Sequence, residues 1–248
     1  MLQLRNISFA YPGSGECVVD DVTAAAPAGR ITAIIGPNAV GKSTLLRLMA
    51  GVLAPDHGEV RLGDMRIQDL TPAARAARLA FVPQRPRVDA PFTVREVVEL
   101  GRFALRRSDE AVSAALVRCD LDAHADRLFN ALSVGQQQRA ALARAVAQVS
   151  DRHDAAILLD EPTSALDPRH VQQTARVLRE LADSGRTVVI ILHDLNLAER
   201  MSDDAWIMHE GRIVASGPTR EVFLPATLER VYGVRFTRGG DALVAEGS

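Results

Sequence analysis

The chain has 248 residues, of which 47% are hydrophobic and 24% charged, a composition typical of a globular protein with one main domain. Its 29 basic and 31 acidic side chains give a formal net charge of −2, which is not the basic excess that favours nucleic-acid binding. No signal-peptide core is evident, and no apolar run approaches the roughly 18 residues that span a bilayer. We therefore expect an unexported soluble protein that binds no nucleic acid, with Cys17 and Cys119 as buried free thiols.

The N-terminal part alternates apolar and polar residues at 2–4 and 7–9, up to a turn-forming segment at 11–15. This alternation predicts strands with one buried face. Residues 58–63 show a similar pattern. Both segments are therefore expected in a small antiparallel sheet beside the main core.

Four further apolar runs are continuous, as expected for strands buried on both faces of a parallel sheet. They lie at residues 31–35, 79–82, 157–159 and 188–192. Helical periodicity follows several of them and dominates residues 85–150. The predicted fold class is α/β, with a mainly parallel sheet, a small antiparallel β-subdomain and an inserted helical subdomain.

The last part of the chain has shorter signals. A helix is predicted near residues 195–201, and two strands at 206–208 and 212–214 flank a turn. Short helices and a tail without regular structure are expected after them.

The strongest motif lies at residues 36–44, which match the phosphate-binding pattern G-x-x-x-x-G-K-[ST] between a predicted buried strand and a helix starting near Thr44. Glycines let backbone N–H groups approach phosphates at a helix N-terminus. Lys42 would place its charge between the β- and γ-phosphates of ATP, and Ser43 would hold Mg²⁺. The predicted ATP-binding loop comprises Gly36, Pro37, Asn38, Ala39, Val40, Gly41, Lys42, Ser43 and Thr44.

A second motif is the apolar segment at residues 155–159, which ends in Asp160 and Glu161. At the carboxyl end of a parallel strand, both carboxylates would face a bound ligand. We predict that Asp160 orients Mg²⁺ through water and that Glu161 polarises the water attacking the γ-phosphate. Without the upstream phosphate motif, such a pair would be an ordinary solvated loop.

Ser133 and Gly135 open a predicted helix that runs through Arg144. A serine and a glycine at a helix N-terminus can bind an anion, although a simple N-cap has the same sequence. Two anion sites in a chain with one nucleotide-binding lysine suggest that the second site serves ATP bound to another subunit.

The phosphate loop, residues 133–136, 158–162 and 164–167, and the His193-Asp194 pair together resemble the ABC ATPase family over nearly the whole chain. The resemblance implies a P-loop NTPase fold with one ABC ATPase domain over 1–248, its catalytic core at 1–84 and 151–248 and its helical subdomain at 85–150. It also implies a head-to-tail homodimer, in which each ATP lies between the phosphate loop of one protomer and the other protomer's Ser133, Gly135 and Gln136.

The resemblance assigns roles to four more residues. Gln84 resembles the glutamine that links Mg²⁺ and the attacking water to the helical lobe, and His193 the histidine of the γ-phosphate. Asp167 resembles the aspartate of the interprotomer loop, and Tyr11 the aromatic residue that stacks on adenine. The implied catalytic residues are Glu161, His193, Gln84 and Lys42, and the implied Mg²⁺ ligands are Ser43, Gln84 and Asp160.

Two positions depart from the family pattern. Ala39 stands where the family usually has glycine, and a Cβ at a position with positive φ costs roughly 1 kcal/mol or more. Val134 replaces the first glycine of the usual Ser-Gly-Gly-Gln. Because Val134 would lie close to the ATP of the other protomer, we expect an active but slow ATPase.

Residues 92–102, 192–198, 211–217 and 228–234 are similar to the ATPases of iron-chelate, haem and cobalamin importers. This implies a peripheral protein on the cytoplasmic face of a bacterial inner membrane, working with two permease subunits and a periplasmic or extracellular substrate-binding protein. Residues 85–107 would line the groove that receives the permease. The alternatives are another importer class or an ABC ATPase of DNA repair or translation, although neither a long coiled-coil insertion nor a second such domain is evident.

Overall fold

The computed structural model describes residues 1–13, 15–240 and 242–246; Ser14, in the predicted turn, lies outside the described residues. The strands are β1 Leu2–Ala10, β2 Cys17–Ala26, β3 Ile31–Ile35, β4 His57–Leu62, β5 Met65–Arg66, β6 Leu79–Val82, β7 Ala156–Asp160, β8 Thr187–Ile191, β9 Asp204–His209, β10 Arg212–Pro218, β11 Phe236–Gly239 and β12 Ala242–Ala245. The α-helices are α1 Lys42–Met49, α2 Pro72–Ala76, α3 Val94–Leu100, α4 Asp109–Arg118, α5 Val134–Val149, α6 Pro168–Asp183, α7 Leu195–Met201, α8 Thr219–Val222 and α9 Pro225–Tyr232.

The main sheet has six strands in the order β10-β9-β3-β8-β7-β6. All its pairs are parallel except β9 with β10. Every residue of β3, β7 and β8 is buried. Along β3, Ile31 and Ala33 belong to one hydrophobic cluster and Ile34 to another, because successive side chains point to opposite faces. This two-sided burial explains the continuous apolar runs and confirms the predicted α/β fold.

The order of the strands positions the polar residues that follow them. The carboxyl ends of β3, β6, β7 and β8 lie at one edge of the sheet, since these strands are parallel. Asp160 at the end of β7 is in register with Ile191 at the end of β8. Gln84, Glu161 and His193 follow the three adjacent strands β6, β7 and β8, so they meet at this edge.

The small antiparallel sheet has the order β2-β1-β4-β5, as predicted. Its inward side chains, such as Leu4 and Val60, share a hydrophobic cluster with Leu45 and Leu46 of α1 and with Ile34 of β3. Helix α1 is therefore packed between the two sheets, which fixes its N-terminus near the carboxyl edge of the main sheet.

Helices α3, α4 and α5 pack together, with Val98, Leu116 and Ala143 buried in one cluster. The C-terminal part of α5 reaches the main sheet, where the Gln148 side-chain amide donates to the carbonyls of Ala76 (2.7 Å) and Leu79 (2.9 Å). One continuous helix therefore links the region of Ser133 to the edge of the main sheet.

Three details differ from expectation. Helix α1 begins at Lys42, two residues before the predicted start, because Gly41 is its N-cap. Cys17, the first residue of β2, is exposed, whereas Cys119 is buried and its pKa is raised to about 12 by that burial. Strands β11 and β12 pair antiparallel in the part of the chain predicted to lack regular structure.

Among the residues that the structure describes, no helix combines the length and the apolar composition needed to cross a membrane.

Candidate nucleotide-binding site

The phosphate loop connects β3 to α1 and has a backbone that glycine favours at two positions. Gly36 and Gly41 have positive φ angles of 149° and 100°. A Cβ at Gly36 would clash with the Met208 carbonyl, and one at Gly41 would lie 2.5 Å from the Val18 carbonyl oxygen. Glycine is therefore required at both positions by backbone conformation and by space.

Ala39 has the predicted positive φ, at 64°. In this left-handed region the Cβ of an L-residue lies too close to the following carbonyl, which costs roughly 1–2 kcal/mol. The alanine therefore introduces local strain into the loop.

Lys42 is the only lysine in the sequence, and it is 6% exposed. Its Nζ donates to the carbonyls of Gly36 (2.8 Å) and Pro37 (2.6 Å), which holds the ammonium group inside the loop. Burial lowers the pKa of Lys42, while the carboxylates of Glu161 and Asp160 oppose this shift. The loop thus contains one positive charge directed by its own backbone.

Ser43 and Asp160 lie together beside the loop. The Ser43 hydroxyl donates to Asp160 Oδ1 at 3.1 Å, and Asp160 is 2% exposed. Burial raises the pKa of Asp160, although the hydrogen bond from Ser43 opposes this effect. The pair presents hard oxygen donors of the kind that Mg²⁺ prefers.

The described residues contain no cluster of three or more His, Cys, Asp or Glu side chains able to hold a metal ion. A complete protein cage is therefore not formed by these groups. Mg²⁺ in phosphate-transfer sites is typically held by one or two protein groups together with substrate phosphates and water. Ser43 and Asp160 fit that kind of site.

Glu161 is contacted by two other predicted catalytic side chains. Gln84 Nε2 donates to Glu161 Oε2 at 2.8 Å, and His193 Nε2 lies in hydrogen-bonding contact with Glu161 Oε1. Glu161 also has a positive φ of 49°, a strained conformation that occurs often at functional sites. The carboxylate is therefore held in a fixed position at the carboxyl edge of the sheet.

A cleft of about 310 Å³ lies between the phosphate loop, Glu161 and His193. Tyr11 lies at its wall, with its hydroxyl 3.2 Å from Thr44 Oγ1 and its ring packed edge-on against Phe9. The residues lining the cleft are Tyr11, Val18, Asn38, Ala39, Gly41, Lys42, Ser43, Thr44, Glu161 and His193. The phosphate loop, the carboxylate and the histidine therefore face one space, and stacking of adenine on Tyr11 remains a prediction.

Residues 133–136, here called the Ser133 segment, form a capping box at the start of α5. The Ser133 hydroxyl accepts from the Gln136 N–H (3.3 Å), and Gln136 Oε1 accepts from the Ser133 N–H (3.0 Å). A Cβ at Gly135 would lie 2.7 Å from the Ala165 carbonyl oxygen, so close packing requires glycine there. Asp167 caps α6 through the His170 N–H (3.0 Å).

Ser133, Gly135, Gln136 and Asp167 are not among the described residues that line the cleft. Within one chain, Glu161 and His193 share the cleft with the phosphate loop, and Asp160 and Gln84 are joined to it through hydrogen bonds to Ser43 and Glu161. The Ser133 segment lies outside the cleft.

Two residues of this region were not identified from the sequence. Val18 lines the cleft, although as an apolar residue of a strand it carries no chemical signal. Gln138 is buried, at 4% exposure, between the Gln84 loop and residues 164–165. The sequence signal for Gln138 was its place in a run of three glutamines at the start of a helix. A glutamine side chain that faces inward from a helix is unusual.

A glycine-containing loop with a buried lysine at a helix N-terminus, facing the carboxylates of an adjacent parallel strand, defines a P-loop nucleotide-binding protein. The profile of the ABC transporter family matches residues 19–164. The chain belongs to this family and is an ATP-binding, ATP-hydrolysing subunit.

Similar proteins cover nearly the whole chain. The hemin import ATP-binding protein HmuV of Rhodopseudomonas palustris is 40% identical, over 97% of this chain and 94% of its own length. The cobalamin import ATP-binding protein BtuD of Halobacterium salinarum is 39% identical, over 92% of this chain and 58% of its own length. Among solved structures, a dimeric ATP-binding cassette in a post-hydrolysis state with ADP and Pi has a TM-score of 0.80 and 30% identity, covering 89% of this chain and 99% of that chain.

The strain at Ala39 predicts that Ala39→Gly stabilises the protein. Relief of roughly 1–2 kcal/mol of strain outweighs the roughly 0.4–1 kcal/mol that glycine adds in unfolded-chain entropy. We expect a gain of about 0.5 kcal/mol in the free energy of unfolding, measured by urea denaturation.

Ala114→Gly is the matched control, because Ala114 is an exposed residue within α4. The free energy of unfolding of this control variant should fall by about 1 kcal/mol. A loss of stability for both substitutions would contradict strain at Ala39.

Proposed function

We propose that this chain hydrolyses ATP at the cleft between the phosphate loop and Glu161, and that hydrolysis powers the import of an iron chelate, with haem as the first candidate. The position of Glu161 is the main support for hydrolysis, because Glu161 faces the phosphate loop that contains Lys42 and is held by Gln84 and His193. A fixed carboxylate beside a phosphate site can orient and polarise an attacking water.

Lys42 and the backbone N–H groups of the loop would bind the β- and γ-phosphates. Glu161 would accept a hydrogen bond from the attacking water, since its two oxygens are already directed by neighbours. Gln84 would orient that water from the side of the helical lobe, and His193 would donate to the γ-phosphate. These roles agree with phosphoryl transfer, in which positioning and electrostatics supply most of the catalysis.

Ser43 and Asp160 would hold Mg²⁺, with Gln84 as a third oxygen donor. When bound, Mg²⁺ supplies positive charge that offsets the negative charge developing on the phosphate oxygens. The short distance between Ser43 and Asp160 and the burial of the carboxylate support this assignment.

The second half of each site would come from another copy of the chain. Ser133, Gly135 and Gln136 lie at an exposed helix N-terminus, where N–H groups can bind an anion, and Val134 beside them is 63% exposed. In a head-to-tail homodimer this segment would face the γ-phosphate held by the partner's loop, with Asp167 at the contact between protomers.

The import role is supported by the relatives, which are named for hemin and cobalamin import. Haem is favoured because the relatives named for hemin import are matched over 92% to 94% of their own length, whereas the cobalamin import relative is matched over 58% of its length. We propose a peripheral position at the cytoplasmic face of a bacterial inner membrane, with two permease subunits and a periplasmic or extracellular substrate-binding protein.

The helical subdomain at residues 85–150 offers a surface for the permease. Phe103 is 69% exposed and Leu100 is 44% exposed. Phe103 borders a groove of about 280 Å³ that also contains Val112 and Arg107. Exposed apolar side chains beside a groove are typical of a protein contact, which supports permease docking in the region of residues 85–107. The absence of a basic excess disfavours the roles in DNA repair or translation.

Glu161→Gln tests the catalytic proposal. The amide keeps the shape of the side chain but loses the negative charge, so ATP turnover should fall by about 10²-fold or more, while ATP affinity should stay within about threefold. Steady-state phosphate release and equilibrium binding of ATP give the two readouts.

Glu110→Gln is the matched control, because Glu110 is exposed in the first turn of α4, and its turnover should equal that of the wild type. Wild-type turnover of the Glu161→Gln variant would overturn the role of Glu161.

Val134→Gly and Val134→Ala test whether the branched side chain slows the reaction. If Val134 obstructs closure onto the partner's ATP, both variants should hydrolyse ATP faster, by about two- to tenfold, as expected for removal of roughly 0.4–1.4 kcal/mol from the barrier. Val117→Ala, at a residue 61% exposed on α4, should leave the rate unchanged. No gain in turnover at Val134 would reject the idea of a steric brake.

The cargo is tested by reconstitution with the cognate permease and binding protein in proteoliposomes. Haem-loaded binding protein should stimulate ATP hydrolysis, and the unloaded protein should stimulate it less. Stimulation by a ferric siderophore or by cobalamin, with none by haem, would contradict the assignment of haem and identify another member of the same cargo class.

A further inference from the structure

The run Gln136-Gln137-Gln138 at the start of α5 contains three amides with different contacts. Gln136 completes the capping box with Ser133. Gln137 Nε2 donates to the Phe129 and Leu132 carbonyls of the helical lobe (3.3 and 3.4 Å). Gln138 is the member of the run that reaches the edge of the main sheet.

Gln138 makes three hydrogen bonds to two segments next to Glu161. Its Nε2 donates to the Gln84 carbonyl (3.3 Å) and to Ser164 Oγ (3.2 Å). Its Oε1 accepts from the Ala165 N–H (3.3 Å). The side-chain amide therefore uses both donors and its acceptor, as a residue only 4% exposed requires.

These contacts close a ring of hydrogen bonds around Glu161. Ser164 Oγ accepts from Gln138 and donates to the Glu161 carbonyl (3.1 Å). Gln84 accepts from Gln138 through its backbone and donates to the Glu161 carboxylate through its side chain (2.8 Å). A shift of Gln138 would therefore move two partners of Glu161. These are Ser164, which contacts its backbone carbonyl, and Gln84, which contacts its carboxylate.

The same amide is attached to the Ser133 segment, because Ser133 is the N-cap of the helix that carries Gln138. The first turn of α5 also packs tightly against Ala165, since a Cβ at Gly135 would lie 2.7 Å from the Ala165 carbonyl oxygen. The first turn of α5 and residues 164–165 therefore leave little space for independent movement.

We propose that Gln138 is a positioning residue that couples the Ser133 segment, bound to the ATP of one site, to Gln84 and Glu161 of the other site. The inference rests on the proposed roles of Glu161 and of the Ser133 segment. Movement of α5 when Ser133 engages an ATP is transmitted through the Gln138 amide to the Gln84 loop and to residues 164–167. Gln138 lies away from the cleft and acts only through these neighbours.

Gln138→Met tests the proposal, because methionine has a similar length and volume but makes none of the three hydrogen bonds. We expect kcat for ATP to fall by about tenfold or more, while KM and the equilibrium affinity for ATP change by less than about threefold. Gln148→Met is the control: Gln148 lies in the same helix and also donates to two backbone carbonyls, about 15 Å further along it. Its kcat should stay within about twofold of the wild type.

A double-mutant cycle with Gln84→Ala separates coupling from general loosening. If Gln138 acts through Gln84, adding Gln138→Met to Gln84→Ala should lower kcat by less than about twofold further. Full multiplication of the two effects would overturn this route. Gln138→Glu, which keeps the acceptor for Ala165 but removes the N–H donors, should also lower kcat, and it replaces Gln138→Met if that variant does not fold.

The outcomes distinguish the two proposals. Loss of hydrolysis in Glu161→Gln, together with equal kcat values for Gln138→Met, Gln148→Met and the wild type, would overturn the role of Gln138 and leave the catalytic proposal intact. Wild-type hydrolysis in Glu161→Gln would overturn the catalytic proposal itself.

Discussion

The parallel pairing of β6, β7 and β8 is the constraint on which the rest of the site depends. It places the residues after each strand at one edge of the sheet, so that Gln84, Glu161 and His193 come within hydrogen-bonding contact although they are far apart in sequence. The pairing is stable because the three strands are almost entirely buried and apolar. Polar chemistry begins where the buried strands end.

The phosphate loop is held by the same architecture from the other side. Helix α1 lies between the two sheets, and the loop backbone approaches the Met208 and Val18 carbonyls too closely for any residue but glycine at two positions. Ala39 has the strained conformation and is exposed. A loop built under this constraint keeps its N–H groups in place before a ligand arrives, which lowers the cost of ordering on binding.

Much of this organisation could be predicted from the sequence, because the strands carry continuous apolar runs and the loop carries a motif with a defined conformation. The positive φ at Ala39 was expected from the resemblance to a family that usually has glycine at this position. The exposure of Cys17 could not be predicted in this way, because Val19 and Val22 of the same strand are buried, and which side chains are covered depends on the elements packed against β2. The pairing of β11 with β12, which buries Phe236 and Leu243, and the contacts of Gln138 likewise depend on tertiary packing, which local patterns do not encode.

We propose that each ATP site is shared between two chains, with Lys42 and Glu161 from one and Ser133 from the other. A structure of the Glu161→Gln variant with ATP and Mg²⁺ tests it most directly, because the proposed loss of hydrolysis would let the closed assembly accumulate. We predict that Ser133 of the partner subunit lies within hydrogen-bonding distance of the γ-phosphate bound by Lys42. An ATP contacted by one chain alone, with the Ser133 segment facing solvent, would contradict the account.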